Sequence, residues 1–240
     1  MSLRIVVLNP KGGSGKTTVA ANLLAAYAQA GQRAALLDFD RQGSASRWLR
    51  QRSPALPAIH GIEAYQALRA NVTRSFALRP PAGTQRLVVD TAAAIDRLGL
   101  VDATNGADRV LVPVLPSDID IHAAARCVGD LLVHARQPRE TVGVVANRVK
   151  RNTRAYRALM RFLDSLGVPV VAVLRDVQAY PRAAQNGQGV CELPRNEAGA
   201  ELVQWRRLLR WLEHGELPRP VRSPEQAAGQ RVRHLRLVRG

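Results

Sequence analysis

The apolar run Ile5-Val6-Val7-Leu8 passes through Asn9-Pro10 into Lys11-Gly12-Gly13-Ser14-Gly15-Lys16-Thr17-Thr18, and the alanine-rich segment Val19 to Ala30 follows. A buried strand, a glycine-rich turn and a helix in this order aim the first N–H groups of the helix at one point, where the helix dipole favours an anion. Glycines let the backbone close around phosphate oxygens, Lys16 reaches the β- and γ-phosphates, and the Thr17 hydroxyl is placed to join a Mg²⁺ shell. The stretch therefore reads as a phosphate-binding loop. The general pattern G-x-x-x-x-G-K-S/T is met with one departure: Pro10 stands at the first glycine position, and a second lysine, Lys11, follows it.

The variant K-G-G-x-G-K-S/T resembles the deviant Walker A loop of the ParA/MinD family of ATPases. The resemblance implies ATP and Mg²⁺ as ligands, Gly12, Gly13, Ser14, Gly15, Lys16, Thr17 and Thr18 as the phosphate cradle, and Lys11 as a group that crosses a dimer to the partner's nucleotide. Lysine use points to the same loop. The chain has 35 basic residues, and only Lys11, Lys16 and Lys150 are lysines; a compact ammonium suits a tight phosphate cradle, and arginine serves elsewhere.

Further apolar runs at Leu3 to Leu8, Ala34 to Leu37, Leu87 to Val89, Val110 to Val114, Val142 to Ala146 and Val168 to Leu174 are separated by segments long enough for crossover helices. Strands of this kind are buried on both faces and belong to an α/β fold: a doubly wound, mostly parallel sheet with helices on both faces, of P-loop NTPase type. Ligands of such sheets bind beyond the carboxyl ends of the strands. Residues 1–215 are expected to form the ATPase domain and 216–240 a basic tail. Between residues 51 and 86 only a helix from Gly61 to Ala70 is legible, among Pro54, Pro57, Pro80, Pro81 and Gly83.

Acidic residues close the second and third of the long runs. Asp38 and Asp40 leave the second on one face, placed to hold Mg²⁺-bound water or to orient an attacking water. This segment resembles the family's D-x-D-P-Q-G element, with Arg41 in place of proline; the match assigns the lytic water to Asp40 and support of the metal shell to Asp38. Asp90 ends Leu87-Val88-Val89 and resembles the Walker B acid. The usual D-T-P-P continuation reads Asp90-Thr91-Ala92-Ala93 here, so a looser turn is expected. Asp118 or Asp120 is expected to cap a helix through Ala123 to His134. By position in the fold, Asn147 matches the family's asparagine at the adenine edge.

Charge points to a polyanion. The net charge is +16 and the pI near 11.4, which implies nucleic acid or an anionic membrane surface. Between Arg148 and Arg161 lie Arg148, Lys150, Arg151, Arg154, Arg157 and Arg161 without one acid. In a helix from Thr153 onward, Arg154, Arg157 and Arg161 share a face opposite Tyr156, Leu159, Met160 and Leu163. A last helix, about Glu197 to Glu213, carries Leu202, Trp205, Leu209 and Leu212 inward and Arg206 and Arg210 outward. These eight basic residues form the expected DNA-binding set. The tail, ending Val232-Arg233-His234-Leu235-Arg236-Leu237-Val238, resembles the amphipathic anchor of the MinD branch, although a basic arm on nucleic acid or a strand packed on the domain fits it equally.

Two distant cysteines, Cys127 and Cys191, without metal-ligand spacing, fit a reducing cytoplasm. No signal pattern and no apolar stretch of about 18 residues is present, so a cytoplasmic, nucleoid-associated protein is expected. As the resemblance implies, an ATP-bound homodimer would bind DNA without sequence preference, and slow hydrolysis, stimulated by a ParB-like partner or cargo adaptor, would time the partition of DNA or a protein cargo. A MinD-like membrane-surface ATPase and a nucleotide-gated adaptor of a transfer or secretion machine are the alternatives.

Overall fold

The computed structural model describes residues 2–69 and 78–216. The expectations for the basic tail beyond Glu216, and for the end of the helix reaching Ala70, lie outside the described residues. Seven parallel strands form one sheet: β1 (Leu3–Val7), β2 (Ala34–Asp38), β3 (His60–Ile62), β4 (Arg86–Asp90), β5 (Arg109–Val114), β6 (Val142–Val149) and β7 (Val170–Arg175), in the order β3-β2-β4-β1-β5-β6-β7. The helices are α1 (Lys16–Gln29), α2 (Ser44–Arg50), α3 (Ala64–Arg69), α4 (Arg97–Thr104), α5 (Asp118–Val133), α6 (Arg154–Ser165), α7 (Ala179–Gln185) and α8 (Arg195–His214).

Alternation along β1 sends Ile5 and Val7 into one apolar layer and Val6 and Leu8 into the other. The first layer is closed by α1, α2, α7 and α8 through residues such as Leu23, Trp48, Ala179, Trp205 and Trp211. The second is closed by α4, α5 and α6 through Leu100, Leu131, Leu159 and Leu163. Burial on both faces explains the continuous apolar runs. Strand order reverses at β1, where the chain leaves toward β2 and later returns past it to β5, so the loop after β1 opens at the switch point of the sheet.

Three expectations are corrected. Gly61 lies in the short edge strand β3, and the helix begins only at Ala64. The helix after β5 starts at Asp118 and is capped by Ser117, whose hydroxyl accepts from Asp120 N at 3.3 Å; neither Asp118 nor Asp120 is the cap. The exit from β4 is tied down despite lacking two prolines: Thr91 Oγ1 donates to Val7 O at 3.0 Å and Ala94 N to Pro10 O at 2.7 Å.

Candidate nucleotide site

The loop between β1 and α1 is held from beneath by residues that local sequence does not mark as functional. Asn9, fully buried, donates Nδ2 to Pro113 O at 2.7 Å and accepts from Lys11 N at 2.9 Å, which ties the loop to β5. Gly15, at φ 94°, caps α1 with no side-chain hydrogen bond. A Cβ on it would stand 2.0 Å from Asn147 Nδ2, so the glycine is required by close approach as well as by its left-handed backbone. Lys16 is buried and donates Nζ to Asn9 O at 3.0 Å and Lys11 O at 3.3 Å. Burial lowers its pKa, while the charges of Asp90 and Asp40 oppose that shift.

Asp90 stands at the end of β4, fully buried, and accepts from Thr17 Oγ1 at 2.7 Å. Burial pushes its carboxyl up to about 7; Asp38 and Asp40 add to the rise, and the Thr17 hydrogen bond and the Lys16 charge oppose it. Its second oxygen, Oδ1, is buried with no partner. An unsatisfied carboxylate oxygen beside a threonine hydroxyl is a donor set that a hard divalent cation fits. Thr17 and Asp90 are thus the residues that would hold Mg²⁺, which would neutralise phosphate charge beside the loop.

Asp38 ends β2 beside Asp90 of β4. Its Oδ1 accepts from Asp40 N at 3.0 Å, and its Oδ2 accepts from Ser46 N at 2.9 Å and Ser46 Oγ at 2.6 Å. With Gly43 as N-cap giving no side-chain bond, Asp38 takes over the capping of α2 from the preceding strand. It anchors the segment that carries Asp40. Asp40 is half-buried; its Oδ1 closes a turn by accepting from Gln42 N at 3.0 Å, and Oδ2 has no partner among the described residues, as a group that orients water needs.

Asn147 stands near the end of β6. It lies behind the loop, buried, with Nδ2 donating to Ser14 O at 2.9 Å and Oδ1 accepting from Arg148 N at 3.0 Å. These bonds brace the loop, and each amide atom keeps one further hydrogen-bonding position.

Asp120 was not singled out as functional from the sequence. Its Oδ2 lies 2.6 Å from Lys11 Nζ, and it also accepts from Ser117 Oγ. The signal was present only as an acid in the first turn after β5; the 109-residue separation from Lys11 hides the pairing.

The basic set divides in two. Arg148 and Lys150 face Asp176 at 3.3 and 3.9 Å, so the exit of β7 supplies the acid missing from the local stretch. Arg151, Arg154, Arg157 and Arg161 are exposed, and so are Arg206 and Arg210 on α8. The two helices cover opposite faces of the sheet at its β7 edge. Arg207, on α8, has its pKa lowered by burial and then by the charges of Arg210 and Arg151. Trp205 is core, as expected, with Nε1 donating to Tyr180 Oη at 3.2 Å.

The family model for the CobQ/CobB/MinD/ParA nucleotide binding domain matches residues 5–190. The chain belongs to this family. It is 32% identical over 211 residues to the maintenance of carboxysome distribution protein A of Gloeobacter kilaueensis, covering 87% of this chain and 93% of that protein. It is 25% identical over 231 residues to the septum site-determining protein MinD of Bacillus subtilis, covering 82% and 85%. Among solved structures, a putative plasmid partition protein of Borrelia burgdorferi bound to AMPPNP superposes with a TM-score of 0.70 at 14% identity, covering 88% and 99%. The fold class and the family read from the loop are both upheld. Among the described residues no helix is long and apolar enough to cross a membrane.

Proposed function

We propose that the protein is an ATP-hydrolysing positioning ATPase of the ParA/MinD type that distributes a protein cargo over a polyanionic surface. The observation that carries this reading is the second lysine of the loop. Lys11 emerges beside the cradle, only a third exposed, and pairs with Asp120 of its own chain; in a sandwich of two subunits the same ammonium would face the partner's phosphates. Lys16 would bind the β- and γ-phosphates, Thr17 and Asp90 the metal, and Asp40 would orient the lytic water. Similarity to carboxysome distribution proteins and to MinD weights the reading toward cargo positioning rather than plasmid partition.

The surface on which cargo would travel is the narrower question. The exposed arginines of α6 and α8 support DNA, bound through phosphates without sequence preference. Similarity to MinD over most of the chain supports an anionic membrane as the second reading. Light scattering with ATP, followed by co-sedimentation with unrelated DNA duplexes and with anionic vesicles, tests both. ATP-dependent dimers that sediment with DNA uphold the first reading, and dimers that sediment only with vesicles uphold the second. A monomer with ATP, unchanged in the Asp40→Ala variant that should bind ATP without turnover, removes the sandwich.

A further inference from the structure

Two residues past the end of α2, Arg52 meets Glu192, the last residue of a 3₁₀ turn at Val190–Glu192. The pair is bidentate: Nη1 donates to Oε2 at 2.8 Å and Nη2 to Oε1, and the two side chains are only 5% and 1% exposed. Arg52 Nη1 also donates to Gly187 O at 3.0 Å and Nε to Pro57 O at 3.1 Å, while Glu192 Oε2 accepts from Gly189 N at 2.9 Å. The desolvation of two buried charges largely offsets their attraction, whereas a bidentate fork fixes orientation.

The pair stands between two elements of the nucleotide site. On one side is α2, which begins in the segment of Asp40: Gly43 N donates to Asp40 O at 2.8 Å, Arg47 Nη2 donates to Gln42 O at 3.1 Å, and Asp38 caps the helix through Ser46. On the other is α1, which opens with Lys16 and Thr17 of the cradle. Val190 N donates to Asn22 Oδ1 at 2.8 Å and Asn22 Nδ2 to Thr18 O at 2.8 Å, so the turn carrying Glu192 is fixed to the first turns of α1. Contact between α2 and this segment is close. Trp48 Nε1 donates to Gln188 O at 3.1 Å, and a Cβ on Gly187, at φ 62°, would stand 2.4 Å from Arg52 N.

A helix of seven residues, about 10 Å long, held only by Asp38 at its start would be free to pivot there and carry Asp40 with it. Fixing its other end to a turn bonded to α1 removes that freedom. We propose that the Arg52–Glu192 pair is a positioning device for hydrolysis: it holds α2 in a set place relative to α1, and so holds the Asp40 carboxylate at a set distance from the phosphate cradle. Both residues act through Asp40. This rests on the assignment of the lytic water to Asp40 above, and the experiment separates the two.

Arg52→Lys keeps a positive charge beside Glu192 but cannot make two parallel bonds to it or reach Gly187 O and Pro57 O together. ATP affinity by calorimetry and ATP-induced dimerisation by light scattering should stay as in the wild type, while kcat falls about ten-fold; a misplacement of about 1 Å costs up to about 10²-fold, and lysine leaves part of the clamp. Amide hydrogen exchange over residues 43–50 should quicken, and that of α1 should not. Glu192→Gln, which keeps an acceptor for Gly189 N but loses the charged fork, should show the same split.

Unchanged kcat in either variant overturns the proposal, and so does a slow variant whose α2 amides exchange no faster. A fall in ATP affinity as large as the fall in kcat overturns it too, because general loosening of the fold would give that result. Asp40→Ala serves as the separate control. If it hydrolyses ATP as the wild type does, the water-orienting assignment falls and the pair has nothing to position; if it is inactive while Arg52→Lys turns over normally, only the pair is misread.

Discussion

Lys11 and Asp120 are joined within one subunit: Nζ stands 2.6 Å from Oδ2, the carboxylate is buried, and the lysine side chain is 34% exposed. The ammonium that a two-subunit sandwich would place on the partner's phosphates is thus engaged at home. In such a sandwich, dimerisation would have to break this contact, or share it, before Lys11 could cross, and the pair would then act as a brake on assembly whose strength is the worth of the ion pair in the monomer.

Weakening the brake should favour the dimer. Asp120→Asn keeps the size of the side chain while removing the charge that holds Lys11. A partly exposed pair is worth at most about 1 kcal/mol after solvent screening. The ATP concentration for half-maximal dimerisation should therefore fall by up to about five-fold in light scattering. A midpoint that rises instead would show that Asp120 supports the crossing rather than opposing it.

Removing the other partner should act in the opposite sense. Lys11→Ala keeps Lys16, Thr17 and the backbone cradle, so ATP binding by calorimetry should persist while ATP-induced dimers disappear. It also leaves the Asp120 carboxylate buried without a counter-charge, and its Oδ1 already lacks a partner; a loss of about 1–3 kcal/mol in unfolding free energy is expected. A Lys11→Ala protein that dimerises normally with ATP would end the sandwich reading.

What the sequence made legible, and what it hid, follows from the range of the interactions. The strands around β1 are apolar because they are buried on both faces, and the loop is recognisable because phosphate binding constrains eight consecutive residues. The strand β3 escaped notice because three residues at a sheet edge, two of them exposed, leave no hydrophobic pattern. The capping contact of Asp38 was hidden for another reason: an acid after a strand looks the same whether or not it also caps a helix, and the contact is made to Ser46, eight residues on. Asp176 and Asp120 act on residues 26 to 109 positions away, distances over which no periodicity carries information.

The arginine face has a quantitative signature. If the proposed polyanion is DNA, each phosphate neutralised adds about 0.9 to the slope of log affinity against log salt. Replacing Arg154, Arg157 and Arg161 together by alanine should lower that slope by about 2–3 and weaken unrelated sequences alike. Their side chains point away from Tyr156, Leu159 and Leu163, so the melting temperature should hardly change. An unchanged slope would move the phosphate track elsewhere, with Arg206 and Arg210 on α8 the next residues to replace.

Asp90 gives the protein a pH dependence whose sign is fixed by burial. Its carboxyl is raised from 3.8 to about 7 in the folded chain, so the folded state holds a proton that the unfolded state has released over this interval. The native state therefore binds more protons than the unfolded one between about pH 4 and 7. Stability from this group is full below about pH 4 and is lost as pH rises toward 7, at up to about 1.4 kcal/mol per pH unit. Asp38, raised by burial as well, contributes in the same sense. Urea unfolding of nucleotide-free protein in a metal chelator should show stability falling over this range and levelling above it. Asp90→Asn, which cannot ionise, should differ from the wild type by a margin that grows as pH rises to about 7 and then stays constant. A margin that does not change with pH would mean that Asp90 titrates at an ordinary value and that burial at the end of β4 is relieved in solution.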